Sequence, residues 1–243
     1  MLIGMVERGE RCDLILCADT GGEKPDFYDF VPYFSRWLKF HGMPEIVVVK
    51  RTNRAGEVRT LEQDCLDGKM LPSIAYGFKA CSMKYKRDPQ DKYCNNWQPA
   101  KDEWKAGRKV VKLIGYDMDE PHRAKIPEDD KYMYRYPLIE WNWGREECLD
   151  AIKRAGLKLP GKSACFFCPS SKKHEILTLK RDYPELAARA VAMENNSEAH
   201  TVVGLGRTFA WRDLLAWNEA QIDMFPHESR IEIDCGCYDE ATA

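Results

Sequence analysis

From Leu14 to Ala18 the chain reads Leu-Ile-Leu-Cys-Ala, an apolar run between Asp13 and Asp19. A run this short, closed by turn residues, reads as a buried strand. Ile46 to Lys50 gives a second strand, β-branched and mostly apolar, and Lys109 to Ile114 a third, ending at Gly115. Elsewhere the apolar spacing is helical. Leu2 to Glu10 reads as the last turns of a helix, with Gly9 near its end. Phe27 to Phe40 is a helix stopped by His41-Gly42-Met43-Pro44, where glycine followed by proline is the usual end signal. Leu71 to Tyr85 is predicted helical, and Asp88 before Pro89 should end that element, because a residue preceding proline avoids helix. Arg145 to Ala155 is a helix with Gly156 just past it, His174 to Glu194 holds one or two helices, and "TFAWRDLLAWNEAQ" is a late one. "TNRAGEVRT" is a loop or hairpin turn, "PGKSACFFCPS" a loop and "IEIDCGCYDEATA" a tail.

Strands alternating with helices predict an α/β fold, a mostly parallel sheet flanked by helices with right-handed crossovers. Residues 1–160 are expected to form an α/β domain, and 161–243 a helical, cysteine-rich region packed on it. The first helix has no strand or cap before it, whereas a βαβ unit starts with a strand.

Composition narrows the class. The chain has 243 residues, long enough to bury roughly 70 % of its unfolded surface. Its hydrophobic content of 44 % and aromatic content of 11 % are those of a folded protein rather than a disordered one. A net charge of −2 gives no bulk attraction to nucleic acid or membrane. No apolar run approaches the ~18 residues of a membrane span, and Glu7, Arg8 and Glu10 near the start do not suit a signal peptide. The expected location is cytoplasmic. Ten cysteines there point to burial, metal or redox chemistry rather than disulfides.

Four segments carry candidate chemistry. Asp19-Thr20-Gly21-Gly22 follows the first strand, and ligands of open α/β sheets bind at that end of a strand. Its acid suits a ribose or a hydrated magnesium ion, and its glycines can turn backbone donors toward a ligand; an ordinary strand-to-helix turn uses the same residues. In "KACSMKYKRDP", Lys79, Lys84, Lys86 and Arg87 surround Cys81. These cations suit phosphate or sulfate and favour a thiolate, or else form a solvated basic helix face. "IGYDMDEPHRA" places Asp117, Glu120 and Arg123 after the third strand, near the sheet edge expected for Asp19. In "SACFFCPS", Cys165 and Cys168 have the spacing that turns two thiols onto one metal or cluster. Further ligands would come from Cys81, from Cys235 or Cys237 in "DCGCYD", or from Cys94. Cys12, Cys17 and Cys148 read as small core residues, and His174 as an exposed helix-start histidine. "GLGR" at Gly204–Arg207 lacks the preceding strand of a phosphate loop and is discounted.

In this order the segments resemble the phosphoadenosine phosphosulfate reductase family of the PP-loop ATP pyrophosphatase (adenine-nucleotide alpha hydrolase) superfamily, closest to divergent members found in phages and bacteria. "ADTGGEKPDFYDF" is similar to the family's Asp-Thr-Gly segment with Pro-Glu-Thr, Asp26 and Phe27 standing for the last two. "ACSMKYKRDP" resembles its Cys-Cys segment with a single Cys81, and "GYDMDEPHRA" its Gly-x-Arg segment without the first arginine. "YPLIEWNWGREECLDAI" resembles its Pro-x-x-x-Trp segment, "CFFCP" the cluster-binding Cys-x-x-Cys, and "DCGCYD" faintly the Glu-Cys-Gly tail that carries the reductases' nucleophile.

The resemblance implies a sulfonucleotide reductase-like protein acting on an adenine nucleotide. Asp19, Thr20 and Gly21 would lie near the adenosine, with magnesium as a candidate ion, and Lys84, Lys86, Arg87 and Arg123 would hold phosphate or sulfate. Cys81, Cys165, Cys168 and Cys235 would bind a [4Fe–4S] cluster or zinc, and Cys237 would be the catalytic thiol, regenerated by a thioredoxin- or glutaredoxin-type reductant. The alternatives are ATP-dependent sulfur transfer to a nucleic acid or other acceptor, and a non-catalytic metal-stabilised binding module. The family opens with a strand and a Ser-Gly-Gly-x-x-Ser loop that this sequence does not contain. A start assigned too late is the expected reason, against truncation or a true loss of phosphate binding. Without that amide cradle the chain should bind nucleotide poorly.

Overall fold

The computed structural model describes residues 1–198 and 200–224. After a short helix α1 (Leu2–Glu7), strand β1 (Ile15–Asp19) runs parallel to β2 (Ile46–Lys50). Ile15 stands opposite Ile46 and Asp19 opposite Lys50, so both strands deliver a charged residue at their carboxyl ends. The crossover between them is helix α2 (Pro25–Phe40), opened by Pro25 in its first turn, where the missing N–H costs nothing. "TNRAGEVRT" forms the anticipated turn, with Thr52 bridged to Val58.

Helix α3 (Leu61–Asp67), which periodicity did not single out, starts with a capping box: Thr60 accepts from the Gln63 N–H and Gln63 from the Thr60 N–H. The helix expected over Leu71–Tyr85 is broken. A 3-10 turn (Ser73–Tyr76) ends at Gly77, whose φ of 87° stops any helix, and the chain restarts as α4 (Ala80–Ser82). A π turn (Met83–Arg87) then runs straight into α5 (Asp88–Asn96). Asp88 does not terminate the element as its proline predicted. It holds helical angles, and Pro89 falls in the first turn of α5, where its N–H is not needed.

Helix α6 (Gln98–Lys105) leads to β3 (Val110–Leu113), which pairs in parallel with β4 (Tyr132–Arg135), a strand not marked by an apolar run. The parallel pairing expected of an α/β chain is therefore present, but among the described residues as two short two-stranded sheets rather than one. An apolar cluster of Met5, Ile15, Leu38 and Met43, with Leu113 packed against it, lies between them.

The remaining elements are helical: α7 (Pro137–Glu140), α8 (Arg145–Arg154), α9 (Lys173–Asp182), α10 (Pro184–Asn196) and α11 (Trp211–Met224). The largest core joins Leu61, Cys65 and Tyr85 to Phe166, Phe167, Ile176, Leu179, Met193 and Trp211. It fastens the Cys165–Cys168 loop and the last three helices onto α3 and the π turn. No helix of the described residues is long and apolar enough to cross a membrane.

Candidate functional site at the end of the first strand

Asp19 and Thr20 are buried where β1 ends. Asp19 Oδ1 accepts from the Gly21 N–H at 2.7 Å and from the Tyr28 hydroxyl at 3.1 Å, and Oδ2 faces Lys50 Nζ at 3.1 Å. Thr20 Oγ1 accepts from the Gly22 N–H at 3.2 Å. The two backbone amides expected to face a ligand are thus bound by the loop's own side chains, the Asx- and Ser/Thr-type turns these residues favour. Burial, followed by the charge and hydrogen bond of Asp19, holds the Tyr28 hydroxyl firmly protonated.

The glycines are fixed by packing. Gly21 has φ +77° and lies against Thr60. A Cβ on Gly22 would fall 2.6 Å from Phe167 Cε1, and the Phe166 N–H donates to the Gly22 carbonyl at 2.8 Å. The Cys-Phe-Phe-Cys loop therefore lies directly on the Asp-Thr-Gly-Gly loop, and Cys165 Sγ sits 3.0 Å from Thr20 Oγ1.

The sequence did not reveal Glu23. A glutamate beside Lys24-Pro25 at a helix entry reads as solvated, yet its side chain is 1 % exposed. Oε1 takes the Thr20 hydroxyl at 3.3 Å and lies 3.8 Å from Lys86 Nζ, while Oε2 is buried with no hydrogen-bond partner among the described residues. Burial raises its pKa, partly offset by Lys86 and Thr20. Burial, then the Glu23 charge, also pushes the Cys165 thiol up to about 12, against the Thr20 hydrogen bond and Lys86. Half-buried Cys17 is raised as well, by burial and then by Glu23 and Asp19.

The other expected residues divide. Of the basic cluster only Lys86 reaches this site. Lys84 bonds Asp64 at 3.2 Å, and Arg87 pairs loosely with Asp88 and Asp91 at 3.8 and 3.9 Å. Their cations go to three separate carboxylate sites rather than converging on one anion. Arg123 pairs with Glu120 and stacks 4.2 Å over the Tyr116 ring, both on its own loop. Cys81, Cys165 and Cys168 border the same core, and Cys81 donates its N–H to Ser73 Oγ. Among the described residues, no three His, Cys, Asp or Glu side chains converge to hold a metal ion. The thiols share a core but not a focus, and Cys165 points to a hydroxyl. Cys235 and Cys237 lie outside the described residues. His174 is exposed in the first turn of α9, as its position suggested.

"GLGR" holds an anion of the protein's own. Glu194 Oε2 accepts from the N–H groups of Leu205 and Trp211 at 2.7 and 2.9 Å, and Oε1 from that of Arg212 at 3.1 Å. Beside the first site, an open groove of about 490 Å³ is lined by Tyr93, Trp97, Asn96, Lys92 and Lys50. Lys50 connects it to Asp19. No family model matches the sequence, and no curated protein or solved structure is significantly similar to it.

Proposed function

We propose that this chain acts on an adenine nucleotide or sulfonucleotide in sulfur metabolism, as a protein of the phosphoadenosine phosphosulfate reductase type. One observation carries the reading. Three segments that suggest it from sequence meet at the carboxyl end of β1: Asp19-Thr20-Gly21-Gly22, Lys86 of the basic turn and Cys165 of the Cys-x-x-Cys loop. Lys50 and Lys86 are partly exposed cations above two buried carboxylates, free to turn outward to a phosphate or sulfate. The adjoining groove offers Trp97 and Tyr93 as stacking surfaces for the base, and its volume is that of a small-molecule site.

The test is calorimetric titration of the full chain with ATP and with phosphoadenosine phosphosulfate, alongside a sulfite-release assay with a thioredoxin-type reductant. Weak but saturable binding of the sulfonucleotide, lost in Lys86→Ala, together with sulfite release supports the reading. No binding of either nucleotide overturns it. The open groove also favours a second reading, ATP-dependent sulfur transfer to a nucleic acid whose bases stack on Trp97 and Tyr93. That reaction releases pyrophosphate only when both ATP and the acceptor are present.

A further inference from the structure

Cys165 and Cys168 are the ends of a tight turn: the Cys168 N–H donates to the Cys165 carbonyl at 3.0 Å. A turn of this kind holds its end Cα atoms within about 7 Å, which overlaps the range a disulfide spans. The two thiols differ in setting. Cys165 is buried under Thr20, whereas Cys168 is partly exposed at the rim of the loop and is followed by Pro169.

Behind Cys165 runs a chain of hydrogen bonds that reaches Glu23 through Thr20. A threonine hydroxyl has one proton to give. When Thr20 gives it to Glu23 Oε1, Oγ1 accepts from the Gly22 N–H and from the Cys165 S–H. The chain ends on a carboxylate whose second oxygen is buried and has no hydrogen-bond partner among the described residues. A buried acceptor without a partner carries an energetic cost, and a redox or catalytic role is one of the few reasons such a group is kept.

We propose that Cys165 and Cys168 form a dithiol–disulfide exchange site, with Cys168 as the outer thiol, Cys165 as the resolving thiol and Glu23, through Thr20, as the group that takes the Cys165 proton. The co-reactant is a low-molecular-weight disulfide of the glutathione class. The Cys168 thiolate attacks one sulfur of that disulfide, forming a mixed disulfide and releasing one thiolate. Cys165 then attacks Cys168 Sγ and closes the internal disulfide. As it does so its proton passes to Thr20 Oγ1 and the threonine proton to Glu23, and the second small thiolate leaves. Two protein thiols lose two electrons and two protons, and one small disulfide becomes two thiols. The reverse sequence would deliver two electrons to an oxidised acceptor. The inference rests on this geometry and not on nucleotide binding.

The experiment incubates the full chain in graded ratios of reduced to oxidised glutathione, quenches it in acid, alkylates the remaining thiols under denaturing conditions and maps the bonds by peptide mass. The expected result is one reversible internal disulfide, between Cys165 and Cys168. Cys165→Ser should halt the sequence at a stable glutathione adduct on Cys168. Thr20→Val should slow closure of the internal bond by about a hundredfold without slowing the first adduct, and Thr20→Ser, which keeps the hydroxyl, should restore it. A bond from Cys165 or Cys168 to another cysteine overturns the proposal. So do a mixed disulfide that never resolves in the unmodified chain, closure at an unchanged rate in Thr20→Val, and recovery of both thiols bound to iron or zinc and unreactive to glutathione.

Discussion

Thr20 and Cys165 are 145 residues apart in sequence and 3.0 Å apart at Oγ1 and Sγ. Around that contact the Phe166 N–H reaches the Gly22 carbonyl, and Lys86 lies against Glu23. The end of the first strand is therefore roofed by a loop that comes after β4 and α8. Whatever chemistry the site performs depends on how firmly this roof is held.

Gly22→Ala tests the roof. The new methyl would sit 2.6 Å from a carbon of fully buried Phe167, which has no room to withdraw. Overpacking of this kind costs about 1–3 kcal/mol. The urea midpoint should fall accordingly, and Cys165 should alkylate faster in the native protein.

Asp64, in α3, is a charge hub. It bonds Arg51 at 2.6 Å, Arg59 at 2.9 Å, Lys84 at 3.2 Å and the Tyr85 hydroxyl. Burial works against its charge, but the hydrogen bonds from Tyr85, Arg59 and Lys84 prevail and hold its pKa at about 2. A depressed carboxylate pKa contributes stability above the unfolded value and loses it as pH falls toward the folded one. That contribution is about 2 kcal/mol at neutral pH. Asp64→Asn should lower the unfolding free energy by that order at pH 7, and the gap to the unmodified protein should narrow between pH 4 and pH 2 in urea titrations.

Glu23 has the opposite sign. Its folded pKa is raised, so its favourable contribution is complete below the unfolded pKa and is lost as pH rises through the folded value. Glu23→Gln removes the buried charge and keeps an acceptor for Thr20. It should raise the melting temperature at pH 8 and leave it unchanged at pH 4. A loss of stability at pH 8 would show that the buried charge is compensated.

Glu194 holds the loop before α11. Its side chain is 1 % exposed and accepts from three backbone N–H groups, those of Leu205, Trp211 and Arg212. Glu194→Ala strands those donors, each worth about 1–3 kcal/mol when left unmade in a buried place. Hydrogen exchange at those three amides should accelerate well beyond the change in global stability, because the defect is confined to the cap.

Much of the fold was readable because its signals are local. β1 and β2 are short apolar runs with turn residues at their ends, and α2, α8, α9, α10 and α11 carry helical spacing with nearby stop signals. Those patterns reflect which face of each element avoids water, a property written into neighbouring residues. α3 was missed because it is short and announced mainly by its capping box. β4, Tyr-Met-Tyr-Arg, was missed because its residues do not form a continuous apolar run.

The sequence by itself also named Asp19, Thr20, Lys86, Cys165 and Cys168 among a longer set of candidates that included Cys81, Lys84, Arg87, Arg123, Cys235 and Cys237. Only the tertiary structure decided their partners. It sent Lys84 and Arg87 to other carboxylates, closed the amides of Gly21 and Gly22 onto their own loop, and set Cys165 against Thr20, where it joins no group of three ligands among the described residues. It also buried Glu23, a residue whose neighbours in sequence are polar, by laying a distant loop over it. The reason is physical: apolar periodicity is set by residues three or four positions apart, whereas the burial and pairing of a charge are set by groups that only the folded chain brings within hydrogen-bond reach.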